Sequence, residues 1–476
     1  MSMSAALNNA LSGLGAVGRS AQTVSSNIAN ALTPGYGRRE VAQSAAASGG
    51  VQIDGISRSV NAAVLSDRRL ADAEAARSAV GAGFLDRVQS LLGLPGDPGA
   101  LSDQVAQLEG RLVEAASRPD SEVRLQSVVA AARDLSSRIN DIGDGLQAER
   151  GAADKAIADD VRLLNTTLAE IRDLNAGIAR HSGTGDANAL KDQRQVLIDR
   201  ISEVVPIRSI PRDRDAVALM TVGGQIILDG QAAEFGFTRA NAVTPDMTLG
   251  AGQLSGLTLD GKPIEMNTHG GRMDGGRLAA SFALRDQLAP EAQGYLDNLA
   301  RDLIERFESS GLDPTRGPGD PGLFTENGAA LSATPAVGLA QRLRLNALVD
   351  PDQGGSATRL RDGLGAMVPG PVGESGLLQS LADALGETRP TVLGLSTSAA
   401  GLASELVART GGALFQAEQS QVFAQSRADA LREQELTSGV DSDQEMQKLL
   451  MIEQSYGANA RVIQVIDSMM RRLLEI

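Results

Sequence analysis

The sequence predicts a mainly α protein with a smaller β-rich insertion, its N- and C-terminal helices pairing as a coiled coil beside a helical-bundle middle. Three observations predict it. Apolar residues recur at spacings of three and four near both ends and through the middle. One stretch, 206–276, changes to alternating Val, Ile, Thr and Gly-rich sequence with regular turn signals. The third is a shortage of aromatics: 476 residues hold no Trp, 3 Tyr and 8 Phe. Cores built from Ala, Leu, Val and Ile suit close-packed helices better than aromatic-walled ligand pockets.

The first helix is carried by Leu7, Ala10, Leu14, Val17, Ala21, Val24, Ile28 and Ala31, an unbroken heptad seam of small and mid-sized residues. Pro34 and Gly35 end it. Two extended stretches, 38–47 and 51–60, flank Ser48-Gly49-Gly50 and read as a β-hairpin. A helix is expected over 61–93, broken at Pro95-Gly96-Asp97-Pro98. Two further seams follow, one from Leu125 to Leu146 and one from Val161 to Ile178, with the spacing of an antiparallel pair or of parts of a bundle. A helix over 189–204 closes this part.

In the β-rich stretch, Ala216–Val222 and Gln225–Leu228 read as strands, with turns at Gly223-Gly224, Asp229-Gly230 and Asp260-Gly261. Helix resumes near Arg277, with Leu296, Leu299, Leu303 and Phe307 on one face. Residues 311–322 read as an irregular connection, 328–389 as short helices and loops, and 391–436 as helix. The last helix mirrors the first. Leu449, Ile452, Tyr456, Asn459, Ile463, Ile466, Met470 and Leu473 form its seam, and Ser442 with Glu445 has the spacing of a capping box. A seam Asn fixes register when it is buried. Seams this far apart in sequence pair only if the chain folds back on itself. The expected organisation is therefore a terminal assembly domain (1–35 plus 440–476), a mainly helical domain (36–205 plus 277–439, with the hairpin near 38–60) and the β-rich insertion (206–276).

Chemistry is poorly provided for. The net charge of −15 argues against nucleic acid, whose phosphates need concentrated Lys and Arg. The chain has no Cys and only two His, His181 and His269, neither in a metal-ligand spacing. Phosphate-loop, dinucleotide and nucleophile-elbow motifs are missing. Asp441 to Glu445 reads as a charged helix start rather than a cation loop. No catalytic residue, cofactor or metal site is expected. No stretch has the length and apolarity of a membrane span, and no segment has a classical signal peptide's layout. A soluble chain is expected, and if exported it leaves by a route that does not read a classical signal.

Ser26-Asn27-Ile28-Ala29-Asn30-Ala31-Leu32-Thr33-Pro34-Gly35-Tyr36 resembles the N-terminal signature of the flagellar rod, hook and hook-associated proteins. Asn27, Asn30, Thr33, Pro34, Gly35 and Tyr36 carry the likeness. The tail from Ser438 to Ile463 resembles the C-terminal signature of the same family. In the middle, Leu174-Asn175-Ala176-Gly177-Ile178 followed by Leu190-Lys191-Asp192-Gln193-Arg194-Gln195 is similar to the hook-associated branch, with Asp192, Gln193 and Arg194 as its core. Lys191, Gln195 and Gly37 depart from the family pattern.

The resemblance implies a non-enzymatic subunit forming a ring between hook and filament. It implies export unfolded through the flagellar type III apparatus and assembly through the terminal helices. Expected partners are further copies of the chain, the hook protein, the second junction protein, and an export chaperone at the C-terminal region. Hook or distal rod protein would share both ends but lack the Leu190–Gln195 stretch. An exported enzyme or adhesin, with the β-rich insertion as its active part, is the reading from another class.

Overall fold

The computed structural model describes residues 3–47, 49–181, 186–266, 270–332, 337–390, 394 and 396–474. It is mainly helical, with small antiparallel sheets. Helix α1 (Met3–Ala29) leads into a hairpin, β1 (Arg38–Ala45) and β2 (Val51–Ser59), then α2 (Ala62–Leu92), α3 (Leu101–Ser117), α4 (Glu122–Arg180) and α5 (Asp186–Ser202). Seven short strands come next: β3 (Ile207–Pro211), β4 (Val217–Thr221), β5 (Ile226–Asp229), β6 (Gln231–Ala232), β7 (Phe235–Gly236), β8 (Leu257–Leu259) and β9 (Lys262–Ile264). Helices α6 (Gly276–Ala283) and α7 (Ala289–Glu308) are joined by a single wide turn at Leu284–Leu288. The pieces β10 (Phe324–Glu326), α8 (Leu339–Arg342), β11 (Leu343–Leu345), α9 (Arg359–Asp362), α10 (Gly376–Gly386), β12 (Arg389–Pro390) and β13 (Ser396–Thr397) precede two long helices, α11 (Ala399–Ser438) and α12 (Ser442–Leu474).

Local chemistry sets the ends of these elements. Asn61 caps α2 by accepting from the Val64 amide, and Gly93 ends it at φ 75°, the left-handed region glycine enters freely. Ser398 caps α11 through the Gly401 amide. At α12 the capping residue is Asp441, whose carboxylate accepts from the Asp443 and Gln444 amides at 2.9 and 3.1 Å. The Ser442–Glu445 capping box does not form, because Glu445 is buried against α1 instead.

One expectation is corrected outright. The seams at Leu125–Leu146 and Val161–Ile178 are not two helices but one, the 59-residue α4, about 90 Å long at 1.5 Å per residue. The apolar stripe is interrupted at Arg150 and Asp154, yet both are only 1% exposed. They continue the buried face with polar side chains, and no proline lies between the seams.

Two cores divide α4. Its first half, Leu125 to Leu146, packs with α3, α7, α10 and the adjoining ends of α2 and α11. Its second half, from Ile157 to Ile171, joins α5, α6 and strands β3 to β9. The β-rich stretch thus shares its core with helices rather than closing one of its own. The four-stranded sheet runs β3-β4-β5-β6 and the three-stranded sheet β7-β8-β9. Arg285, fully buried, joins the two halves: it pairs with Asp154 at 2.7 Å and Asp286 at 2.8 Å and lies over the Phe282 ring at 5.0 Å. Among the described residues no helix is long and apolar enough to cross a membrane.

Candidate assembly site

Helices α1 and α12 run antiparallel, side by side. Asn27 of α1 meets Glu445 of α12 at 2.9 Å, and two heptads along each helix Gly13 faces Asn459, whose amide would lie 3.1 Å from a Cβ added at Gly13. A side chain at Gly13 would push the helices apart there, so the glycine sets the closeness of the pair. Asn459 therefore points at α1 and not at solvent.

The contact is thin. On α1 the buried residues are Ala10, Gly13, Ala16, Thr23, Val24 and Asn27. Of the expected seam, Val24 is buried while Leu7, Leu14, Val17 and Ile28 are half-buried. On α12, Ile466 is buried and Leu449, Ile452, Asn459 and Ile463 are half-buried. Tyr456 and Met470 are exposed at 54% and 46%, off the contact with α1, and the Leu473 side chain lies outside the described residues. Met446, Leu450, Met451, Val462, Val465 and Met469 also leave about half their surface open, which is a large apolar area for one helix of a monomer.

Asn27 is the polar centre of this region. It is fully buried. Its amide nitrogen donates to Glu445 and to the Arg39 carbonyl, both at 2.9 Å. Its oxygen accepts from the Tyr36 hydroxyl at 2.9 Å and the Arg39 amide at 3.0 Å. Both donors and both acceptor sites are filled, as burial requires. Glu445, 1% exposed, also takes Lys448 at 3.0 Å. One side chain thus ties α1, the Tyr36 loop, β1 and α12 together. Asn30 and Thr33 act locally: the Asn30 amide donates to the Ser26 carbonyl at 2.9 Å and accepts from Thr33 at 3.3 Å. Pro34 is exposed at the turn.

The middle motif divides its work between two sides of α5. Asp192 accepts from the Gly37 amide at 3.0 Å, Arg58 at 2.7 Å and Arg39 at 3.1 Å. Gly35 sits at φ 76° against α5, where an added Cβ would come within 2.6 Å of Val196. On the other side, buried Arg194 donates to the Asn175 side chain and the Asp215 carbonyl, both at 2.7 Å. Asn175 in turn brackets the Val217 backbone of β4 at 2.9 and 3.2 Å. Burial, and then the nearby charge of Arg58, lowers the Arg194 pKa to about 10. Gln193, between them, faces solvent.

The three departures from the family pattern all find partners. Lys191 pairs with Asp215 at 2.9 Å. Gln195 bonds Arg58 and, at 3.3 Å, Glu435. At Gly37 an added Cβ would fall 2.5 Å from Arg58 Nε, so glycine makes room for the Arg58–Asp192 pair. Beside this lies an ionic cluster joining α2, α5 and α11. Arg68 contacts Asp72 at 2.6 Å, Asp199 at 2.8 Å and Glu435, and Arg432 reaches Asp72 at 2.9 Å.

Sequence reading had missed Glu445, Arg39 and Arg58. Glu445 lies four residues before Leu449, in phase with the seam, and that phase is the signal for it. His181 Nδ1 lies 2.9 Å from the Gly177 carbonyl, within its own helix end; His269 lies outside the described residues. Among the described residues no group of three or more His, Cys, Asp or Glu is placed to hold a metal.

The described site is thus two long terminal helices clasped antiparallel with a hairpin laid beside them. Two family models match: "Flagellar hook-associated protein FlgK helical domain" over residues 85–319 and "Flagellar basal body rod FlgEFG protein C-terminal" over 436–476. Flagellar hook-associated protein 1 of Escherichia coli is 22% identical over 64% of this chain and 57% of its own length. Its Salmonella typhimurium counterpart is 25% identical over 48% and 44%, and that of Bacillus subtilis 21% over 95% and 94%. The chain thus spans about half the length of the first two relatives and nearly all of the third. The flagellar hook junction protein FlgK from Burkholderia pseudomallei aligns at TM-score 0.45 and 18% identity, over 55% of this chain and 46% of that one. The family models and the relatives agree in what this chain is similar to: flagellar hook-associated protein 1.

Proposed function

We propose that this chain is a structural, non-catalytic subunit of the flagellum, standing between hook and filament and self-associating in a ring. One observation carries the reading: a terminal pair clasped through Asn27 and Glu445 still leaves a long apolar face of α12 uncovered. Such a face calls for neighbours. The seam residues of α1 and α12 act as the assembly interface, with 1–35 plus 440–476 as one assembly unit. The neighbours are further copies, the hook protein and the second junction protein. Export unfolded through the type III apparatus, with a chaperone on the C-terminal region, completes the reading.

The test is deletion of the gene. Cells with hooks but no attached filaments are expected, and filament export into the medium with them; normally filamented cells would overturn the proposal. The C-terminal match to rod and hook proteins favours a second reading, another axial subunit. Cells that fail to build a hook on deletion would select it.

A further inference from the structure

The middle motif is not used by the terminal pairing, yet half-buried Asp192 and buried Arg194 are bonded on opposite sides of α5. Three stretches matter here: the turn 30–37 inside the α1–hairpin–α12 unit, and 60–61 and 439–441, the two linkers that connect this unit to the rest of the chain. The first two converge on α5. Asp192 holds the Gly37 amide, Arg39 and Arg58 at 2.7–3.1 Å. Arg58 also donates to the Gly35 carbonyl at 3.0 Å, and Asn188 to the Ile56 carbonyl at 2.7 Å. Near the third, Gln195 reaches Glu435, one turn before α11 ends. On the far side, Arg194 fastens the same helix to Asn175 and to the Asp215 carbonyl beside β4.

We propose that Asp192 is a positioning residue: it locks the terminal helix pair at one angle to the body, using α5 as a strut braced by Arg194 against the β-rich side. Without it, two linkers and the weaker contacts of Asn188 and Gln195 hold the pair less firmly. The carboxylate suits this role because it accepts from a backbone amide and two guanidinium groups at once, each from a different point of the terminal unit. A hinge needs few residues; what defines one orientation is the set of contacts across it.

The test uses the absence of native Cys. In the full-length chain, Gln447→Cys on α12 and Glu170→Cys on α4 carry paired spin labels, and the distance distribution between them is measured. A single narrow distribution is expected in the parent and a broadened one in Asp192→Asn, with Asp192→Glu restoring much of the narrowness. Gln193→Ala, one residue away and exposed, should match the parent. Melting of the body, followed by circular dichroism, should be nearly unchanged in Asp192→Asn, which separates loss of orientation from loss of folding. An Asp192→Asn distribution as narrow as the parent's overturns the proposal, as does broadening seen equally in Gln193→Ala. If Asp192→Asn fails to fold, Arg58→Gln, which removes the opposite partner, gives the same reading: narrow overturns, broad supports.

Discussion

The first half of α4 and the pair α1–α12 are both built on heptad-spaced aliphatic residues, yet they bury them differently. Leu125, Val128, Ala132, Leu135 and Ile139 are all at 0% exposure, packed by several neighbouring elements. On α12, Ile466 and Glu445 are the buried residues among those described. The α4 core is held by apolar area; the terminal pair is held by a few specific polar bonds around small residues. Periodicity alone does not separate the two. What separates them is how many other elements the chain brings to the same face. A seam with one partner is incomplete, and the incompleteness is where association with other molecules is read.

The contrast is testable in order of effect. Leu135→Ala should cost about 3 kcal/mol of global stability, the usual penalty for a cavity in a packed core, measured by urea unfolding. Ile463→Asp, on the α12 seam, should leave the midpoint of that unfolding transition unchanged and still abolish incorporation into flagella. An equal fall in stability for both variants would erase the distinction. Asn27→Ala takes one partner from the buried Glu445 carboxylate and from three other polar groups, for a local cost of about 2 kcal/mol. Faster hydrogen exchange confined to α1 and α12 would register it, and exchange spread over α4 would count against it. Gly35→Ala should cost about 1–2 kcal/mol, from a left-handed backbone position and a clash with Val196.

The smallest effect concerns pH. Burial raises the Glu435 pKa against the pull of Arg68, with Asp199 adding to the rise. Protonation is therefore favoured in the fold, so this residue's contribution is full below the ordinary glutamate value of 4.5 and is lost as the pH climbs through the raised one. Glu435→Gln should gain on the parent in thermal stability as the pH rises above the ordinary glutamate value. A constant difference across that rise would refute the assignment.

Much of this was legible in the residues. The hairpin, α2 with its Asn61 start and Gly93 stop, and the extent of α12 follow from local turn chemistry and period. The continuity of α4 was hidden because Arg150 and Asp154 interrupt the apolar pattern where the buried polar network sits. Their partners, the Arg285 carbonyl and side chain, lie more than a hundred residues away, and nothing local announces them. The same distance hid the Asp192 cluster: the motif was recognisable as a motif, but Arg58 and Arg39 carry no periodic signal. Glu445 was read as helix-start charge because its partner, Asn27, lies at the other end of the sequence.

That separation has its own consequence. Asn27 and Glu445 are 418 positions apart, so the clasp cannot close until nearly the whole polypeptide is present, and closing so long a loop comes late in folding. A chain truncated before α12 leaves Asn27 with a donor unfilled in a site built to be dry. The hydrogen bond therefore makes the seating of the first helix conditional on α12.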